Sequence, residues 1–227
     1  MAILYIVATP IGNLEDITLR ALRILKEVDL ILCEDTRTTK TLLMKYDIKT
    51  PTQSYHSNTT DAKHEALMRE LASGKTMALV TDAGTPCISD PGVLLVKKLR
   101  ELNDPNITIV PIPGASACIT ALSASGIPSA TFTFYGFLPH KKGRETLFKE
   151  IIGIKHTAVF YESPHRLTKT LEKLTTLIPK RHMVIGRELT KKFEEIKAGS
   201  VHELATYFTK NSGHIRGEFV LILEGIS

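Results

Sequence analysis

The chain has 227 residues, three cysteines and no tryptophan; 43% of it is hydrophobic, 23% is charged, and its formal net charge is +5. These values exclude a disordered, collagenous or disulfide-built protein, and at about 100–200 residues per domain they allow one large domain or two small ones. Apolar runs such as Phe219-Val220-Leu221-Ile222-Leu223 fall well short of the roughly 20 residues that a membrane-spanning helix needs.

The apolar run from Ile3 to Ala8 leads into Pro10-Ile11-Gly12-Asn13 with no basic leader, which predicts a buried first strand and no signal peptide. A helical stretch near 16–28 turns Leu19, Leu22, Ile24, Leu25 and Val28 inward. Strand Leu30 to Cys33, a helix near 38–46 and a longer helix near 60–73 follow. Met77 to Val80 is the next strand, then a helix from Pro91 to Leu102, strand Ile107 to Val110 and a small-residue helix over 115–125. Continuous apolar strands separated by amphipathic helices predict a parallel sheet covered on both faces. The chain turns at Gly126-Ile127-Pro128-Ser129 and a second series begins: Phe132 to Phe137, a helix near 144–152, Thr157 to Tyr161, a helix opening at Pro164, His182 to Gly186, Glu195 to Ala198, a helix at 200–210 and Glu218 to Leu223. The expectation is two α/β lobes, 1–127 and 128–227, with no tail domain after the last strand.

Charge divides the same way. Residues 1–127 hold 13 Lys+Arg against 14 Asp+Glu, whereas 128–227 hold 16 against 10, a net of +6, with six of the eight histidines. A basic lobe beside a neutral one points to a polyanionic partner, although a solvated lysine surface accounts for it equally well. Cys33, Cys87 and Cys118 are odd in number and widely spaced, with no CxxC. They predict reduced, inert thiols in a cytoplasmic protein and no metal site.

In open parallel α/β sheets, ligands bind beyond the carboxyl ends of the strands. Here those ends carry Thr9 to Asp16, Glu34-Asp35-Thr36-Arg37, Thr81 to Gly92, Pro111 to Ala117, Glu162-Ser163-Pro164-His165-Arg166 and Gly186 to Thr190. Any one of these loops is ordinary turn chemistry. Five strand ends furnished with Asp, Glu, Arg, Ser or Thr, and a long 81–92 loop with two Gly, two Pro and two Asp, suit close backbone approach to a ligand. Standard fingerprints are missing. There is no GxGxxG and no GxSxG; Ser73-Gly74-Lys75-Thr76 lacks the leading glycine of a phosphate loop; and His64-Glu65 lacks a second histidine at position 68.

The runs Val7 to Asp16, Cys33 to Arg37, Asp82 to Gly92, Phe160 to Arg166 and Arg187 to Lys191 resemble the 2′-O-ribose methyltransferases of small-subunit ribosomal RNA, within the tetrapyrrole methylase superfamily. The resemblance runs from residue 2 to about 225. It implies two α/β lobes of the class III methyltransferase type with the active site in the inter-lobe cleft, S-adenosylmethionine as cofactor, and a homodimer. The implied acceptor is the ribose 2′-hydroxyl of a cytidine in the decoding region of 16S rRNA, within the small ribosomal subunit. On this resemblance Pro10 closes the first loop, and Asp82, Gly84, Thr85, Pro86 and Ile88 hold the methionine end. Ser116 and Ala117 meet its carboxylate at a helix N-terminus, and Tyr161, Leu189 and Gly217 lie near the adenine and ribose.

Methyl transfer to a hydroxyl needs alignment and a proton acceptor. The candidates are Glu34, Asp35, Glu162 and His165, with Arg37, Arg166 and Arg187 as phosphate clamps. The Asp35–Arg37 and Glu162–Arg166 pairs read equally well as local salt bridges. Lys141, Lys142, Arg144, Lys180, Arg181, Lys191 and Lys192 are expected to steer RNA phosphates. Two other readings stand beside this one: a superfamily methylase acting on a tetrapyrrole or protein side chain, and a non-catalytic RNA-binding module.

Overall fold

Burial on both faces of the central strands decides the architecture of the amino-terminal unit. The computed structural model describes residues 1–226 and divides into two units, Met1–Ser116 and the chain from Ala117 onward. The first unit contains β1 (Ala2–Val7), α1 (Leu19–Glu27), β2 (Leu30–Cys33), α2 (Thr36–Lys45), β3 (Thr52–Ser54), α3 (Asp61–Ala72), β4 (Met77–Leu79), α4 (Val93–Leu102) and β5 (Ile107–Ile112). Its five strands are all parallel, in the order β3-β2-β4-β1-β5. Val7, Ile31, Cys33 and Ala78 point to one face, under Ala21, Ile24 and Leu25 of α1 and Leu42 and Leu43 of α2. Leu4, Leu32, Met77 and Leu79 point to the other, under Leu67 and Leu71 of α3 and Leu95 and Leu99 of α4. Strands apolar on both sides are what a parallel sheet between two helical layers requires. One expected core residue is not in it: Leu19, at the first position of α1, is 86% exposed. The short polar strand β3 gives no apolar signal and extends the sheet edge beyond the expected strands.

Because the strands run the same way, the loops after β1, β2, β4 and β5 leave from one end of this sheet. Asp35 caps α2 by accepting the Arg37 amide at 2.8 Å, which sets the start of that helix at the strand end.

The second unit contains α5 (Ala117–Ser123), β6 (Phe132–Phe137), α6 (Arg144–Gly153), β7 (Thr157–Glu162), α7 (Pro164–Leu177), β8 (His182–Arg187), β9 (Glu195–Ser200), α8 (Val201–Lys210) and β10 (Phe219–Leu223). Its sheet is mixed, in the order β6-β7-β10-β8-β9: β6 and β7 are parallel and every other pair is antiparallel. Phe160, Met183, Ile185, Phe219 and Leu221 face the main core with Phe148 of α6, Leu167 and Leu171 of α7 and Phe208 of α8. Val159, Val184, Val220 and Ile222 on the opposite side are also buried, and α5 packs against β10. That packing assigns α5 to the second unit, so the division falls between residues 116 and 117 rather than near 127.

Candidate active site

Three loops of the first unit are knitted together. Thr9 and Gly84 exchange backbone hydrogen bonds of 2.9 and 3.1 Å, and the Thr9 hydroxyl donates to the Thr81 carbonyl at 3.0 Å. The Thr85 hydroxyl donates to the Ala115 carbonyl at 3.0 Å, which ties in the loop after β5. Gly84 has φ +87°, so its left-handed conformation suits glycine and the bridge to Thr9 depends on it. Pro10 and Pro86 are buried here, while Ile88 is 47% exposed. Cys87 and Ser89 also adopt positive φ, an unusual concentration for non-glycine residues in one loop.

Carboxylates from two loops gather beside this bridge. The Asp35 amide donates to Asp82 Oδ1 at 3.0 Å, and the Thr81 hydroxyl donates to Glu34 Oε2 at 3.4 Å. Asp90, which the sequence reading did not single out, is half-buried. Burial pushes its carboxyl up to about 6, against the hydrogen bond from Thr81 and with help from the charges of Glu34 and Asp82. No local pattern marks Asp90; its surroundings come from residues 56 and 9 positions away. Asp35 is the opposite case. The side-chain hydrogen bonds from Arg37, whose Nη2 lies 2.6 Å from Asp35 Oδ2, hold it down at about 2, so it is a weak base. Arg37 itself is exposed.

In the second unit, Glu162 is fully buried and saturated. It accepts from Arg166 Nε at 2.7 Å, Arg144 Nη2 at 3.2 Å, the Thr170 hydroxyl at 2.7 Å and the Ser163 amide at 2.9 Å. Glu162, an expected proton acceptor, thus carries four donors, and the guanidinium groups of Arg166, an expected phosphate clamp, and of Arg144, expected to steer phosphate, are both turned toward it. His165 is exposed on the first turn of α7. Arg187 is likewise internal. It is 8% exposed and donates to the carbonyls of Arg216 and Phe193, beside Glu195 at 3.6 Å. Arg181 donates to the carbonyls of Glu224 and Ile152, and Lys191 is held between Glu188 and Glu218. Lys141, Lys142, Lys180 and Lys192 are the exposed members of the expected basic set, and Lys192 lies over the Phe193 ring.

The Tyr161 ring meets Phe134 and Phe137 edge-on at 4.9 and 5.3 Å, and its hydroxyl accepts the Cys118 amide at 3.2 Å. Leu189 is buried against Gly186. Gly217 has φ +83° and packs on Glu188, so it shapes the turn around Leu189. The cysteines are free, with Cys33 and Cys118 buried, and burial pushes the Cys118 thiol up to about 11. Among the described residues no His, Cys, Asp and Glu group suited to a metal ion occurs, and no helix is long and apolar enough to cross a membrane.

The chain matches the Tetrapyrrole (Corrin/Porphyrin) Methylases over residues 3–205. It is 50% identical over 224 residues to the "Ribosomal RNA small subunit methyltransferase I" of Halalkalibacterium halodurans, covering 98% of this chain and 75% of that protein. The Bacillus subtilis protein of the same name is 46% identical over 228 residues, covering 99% and 76%. Among solved structures, uroporphyrin-III C-methyltransferase from Thermus thermophilus, complexed with S-adenosylhomocysteine, shares the fold with a TM-score of 0.62 at 19% identity, covering 97% of this chain and 96% of that one.

Proposed function

We propose, from the premise that this chain belongs to the tetrapyrrole methylase family, that it transfers a methyl group from S-adenosylmethionine to small-subunit ribosomal RNA. The acceptor is the ribose 2′-hydroxyl of a cytidine in the decoding region of 16S rRNA, and the working form is a homodimer in the cytoplasm. The observation that carries this reading is 46–50% identity along almost the whole chain to relatives named as methyltransferases of small-subunit ribosomal RNA.

The residues present suit the donor. S-adenosylmethionine supplies an electrophilic methyl on a sulfonium, beside an ammonium and a carboxylate. Glu34, Asp82 and Asp90 place negative charge where a cation benefits. The backbone around Gly84 and Thr85, with Pro10, Pro86 and Ile88, supplies amides and apolar surface. Ser116 and Ala117 offer amides to the carboxylate, while Tyr161 and the turn around Leu189 and Gly217 offer ring and backbone to the nucleoside.

The hydroxyl that accepts the methyl must lose a proton. Asp90 is the carboxylate whose environment tunes it for that work near neutral pH, and such a base is worth roughly 10²–10⁴-fold in rate. Glu34 shares the Thr81 hydroxyl and supports it electrostatically. Alignment of donor and acceptor contributes more, roughly 7–11 kcal/mol for well-oriented reactants.

The test is to incubate the protein with labelled S-adenosylmethionine and 30S particles, digest the RNA and identify the modified nucleoside by mass spectrometry. The expected product is 2′-O-methylcytidine. Label on a base, on a tetrapyrrole or protein acceptor, or nowhere, overturns the reading.

A further inference from the structure

A buried carboxylate is costly unless it is paired, and even a paired one seldom adds net stability over apolar packing. Glu162 therefore needs a purpose, and the outer arms of its two arginines supply one. Arg144 Nη1 donates to the Pro139 carbonyl at 3.0 Å, and Arg166 Nη1 donates to the Leu138 carbonyl at 2.7 Å. Leu138 and Pro139 are the two residues by which the chain leaves β6. Arg144 is also the first residue of α6, where the following loop ends. One carboxylate thus fastens both ends of the 138–143 loop, with Thr170 of α7 bridging Glu162 and Arg144 from behind at 2.7 Å each. Between the fastened ends stand His140, Lys141 and Lys142, all exposed and none in an ion pair among the described residues.

We propose that Glu162 is a positioning residue which, through Arg144 and Arg166, holds His140–Lys142 as a rigid cationic tip that grips backbone phosphates of the RNA substrate. This deepens the functional reading above and rests on it. Lysine ammonium groups are compact point charges suited to phosphate. A tip ordered in advance spares the cost of ordering a loop on binding. Contacts of this kind set register on the RNA without reading its bases. The two half-buried arginines do not touch the RNA; they fix where the lysines stand.

The experiment measures equilibrium binding of the full chain to 30S particles across a salt series, for Lys141→Ala/Lys142→Ala, for Glu162→Gln and for all three changes together. The lysine pair should weaken binding roughly tenfold at low salt and lower the slope of log K against log salt by about 1.4–1.8, as the loss of two phosphate contacts requires. Glu162→Gln should weaken binding in the native background and add nothing when the lysines are already gone. Affinity for S-adenosylmethionine, read by calorimetry, should stay unchanged in the lysine variant. Should Glu162→Gln fail to fold, Arg166→Lys takes its place, since a lysine cannot span the carboxylate and the Leu138 carbonyl together. A salt slope unmoved by the lysine variant, or a positioning variant that costs the same in both backgrounds, overturns this inference while leaving an active methyltransferase. A wild-type chain that transfers no methyl to the particle overturns the functional reading, and this inference falls with it.

Discussion

Glu188 and Gly217 compete for one volume: a Cβ added to Gly217 would overlap the carboxyl end of the Glu188 side chain. That carboxylate is not free to swing away. It accepts from the Glu218 amide at 3.1 Å and from Lys191 Nζ at 2.8 Å, and the Glu188 amide donates to the Glu218 carbonyl at 3.0 Å. Burial would raise the Glu188 carboxyl, but Lys191 and the Glu218 amide hold it below its ordinary value. The loop after β8 and the segment before β10 are therefore one fastened unit.

Gly217→Ala should destabilise the protein by about 1–3 kcal/mol, from left-handed strain at φ +83° together with the overlap. In a Glu188→Ala background the added cost should fall, because only the backbone strain remains. Urea denaturation of the four proteins measures the cycle. Equal costs in both backgrounds would show that the two side chains do not compete.

Asp90 sets two pH dependences. As the proposed proton acceptor it must be ionised, so the methyl-transfer rate should fall as pH drops below about 6. Asp90→Asn should slow the reaction by roughly 10²–10⁴-fold at neutral pH and remove that limb of the profile. Stability moves the other way. A carboxyl raised from its ordinary 3.8 to about 6 binds its proton more tightly when folded, so the fold loses stability as pH rises between these values. Asp90→Asn should thus raise the melting temperature at pH 7 and lose that advantage below pH 4.

Removing Glu162 should expose the cost of its hub. Glu162→Ala leaves the half-buried Arg144 and Arg166 without a counter-charge, and a loss of up to about 3–5 kcal/mol is expected by denaturant unfolding. Replacing all three with apolar residues of similar volume should cost far less, because no uncompensated charge remains. A loss as large as that of the single change would mean that packing, not charge, is what Glu162 provides.

Gly84→Val should weaken S-adenosylmethionine binding by at least about tenfold in calorimetry, since a β-branched residue resists φ +87° at a strain of about 1–3 kcal/mol and distorts the bridge to Thr9. Circular dichroism should show the fold retained. Normal affinity in the folded variant would remove this loop from the donor site.

Much was legible in the residues alone, because hydrophobic periodicity is local. The runs around Leu4, Ile31 and Ala78 already specified strands apolar on both faces. The amphipathic stretches specified their helices, and Pro164 marked the start of α7. The acidic and glycine-bearing loops were also recognisable in the chain, since turn chemistry is written in consecutive residues. What the residues could not disclose was partnership across long separations. Arg144, Arg181 and Lys191 look like solvent-facing phosphate ligands in a basic segment. Folding spends them on Glu162, on the Glu224 carbonyl 43 residues away and on Glu218. The antiparallel pairing of β8 with β10, the allegiance of α5 and the weakened acidity of Asp90 belong to the same class. Each depends on desolvation and on groups brought close only when the chain closes on itself, and no local pattern encodes which distant group will arrive.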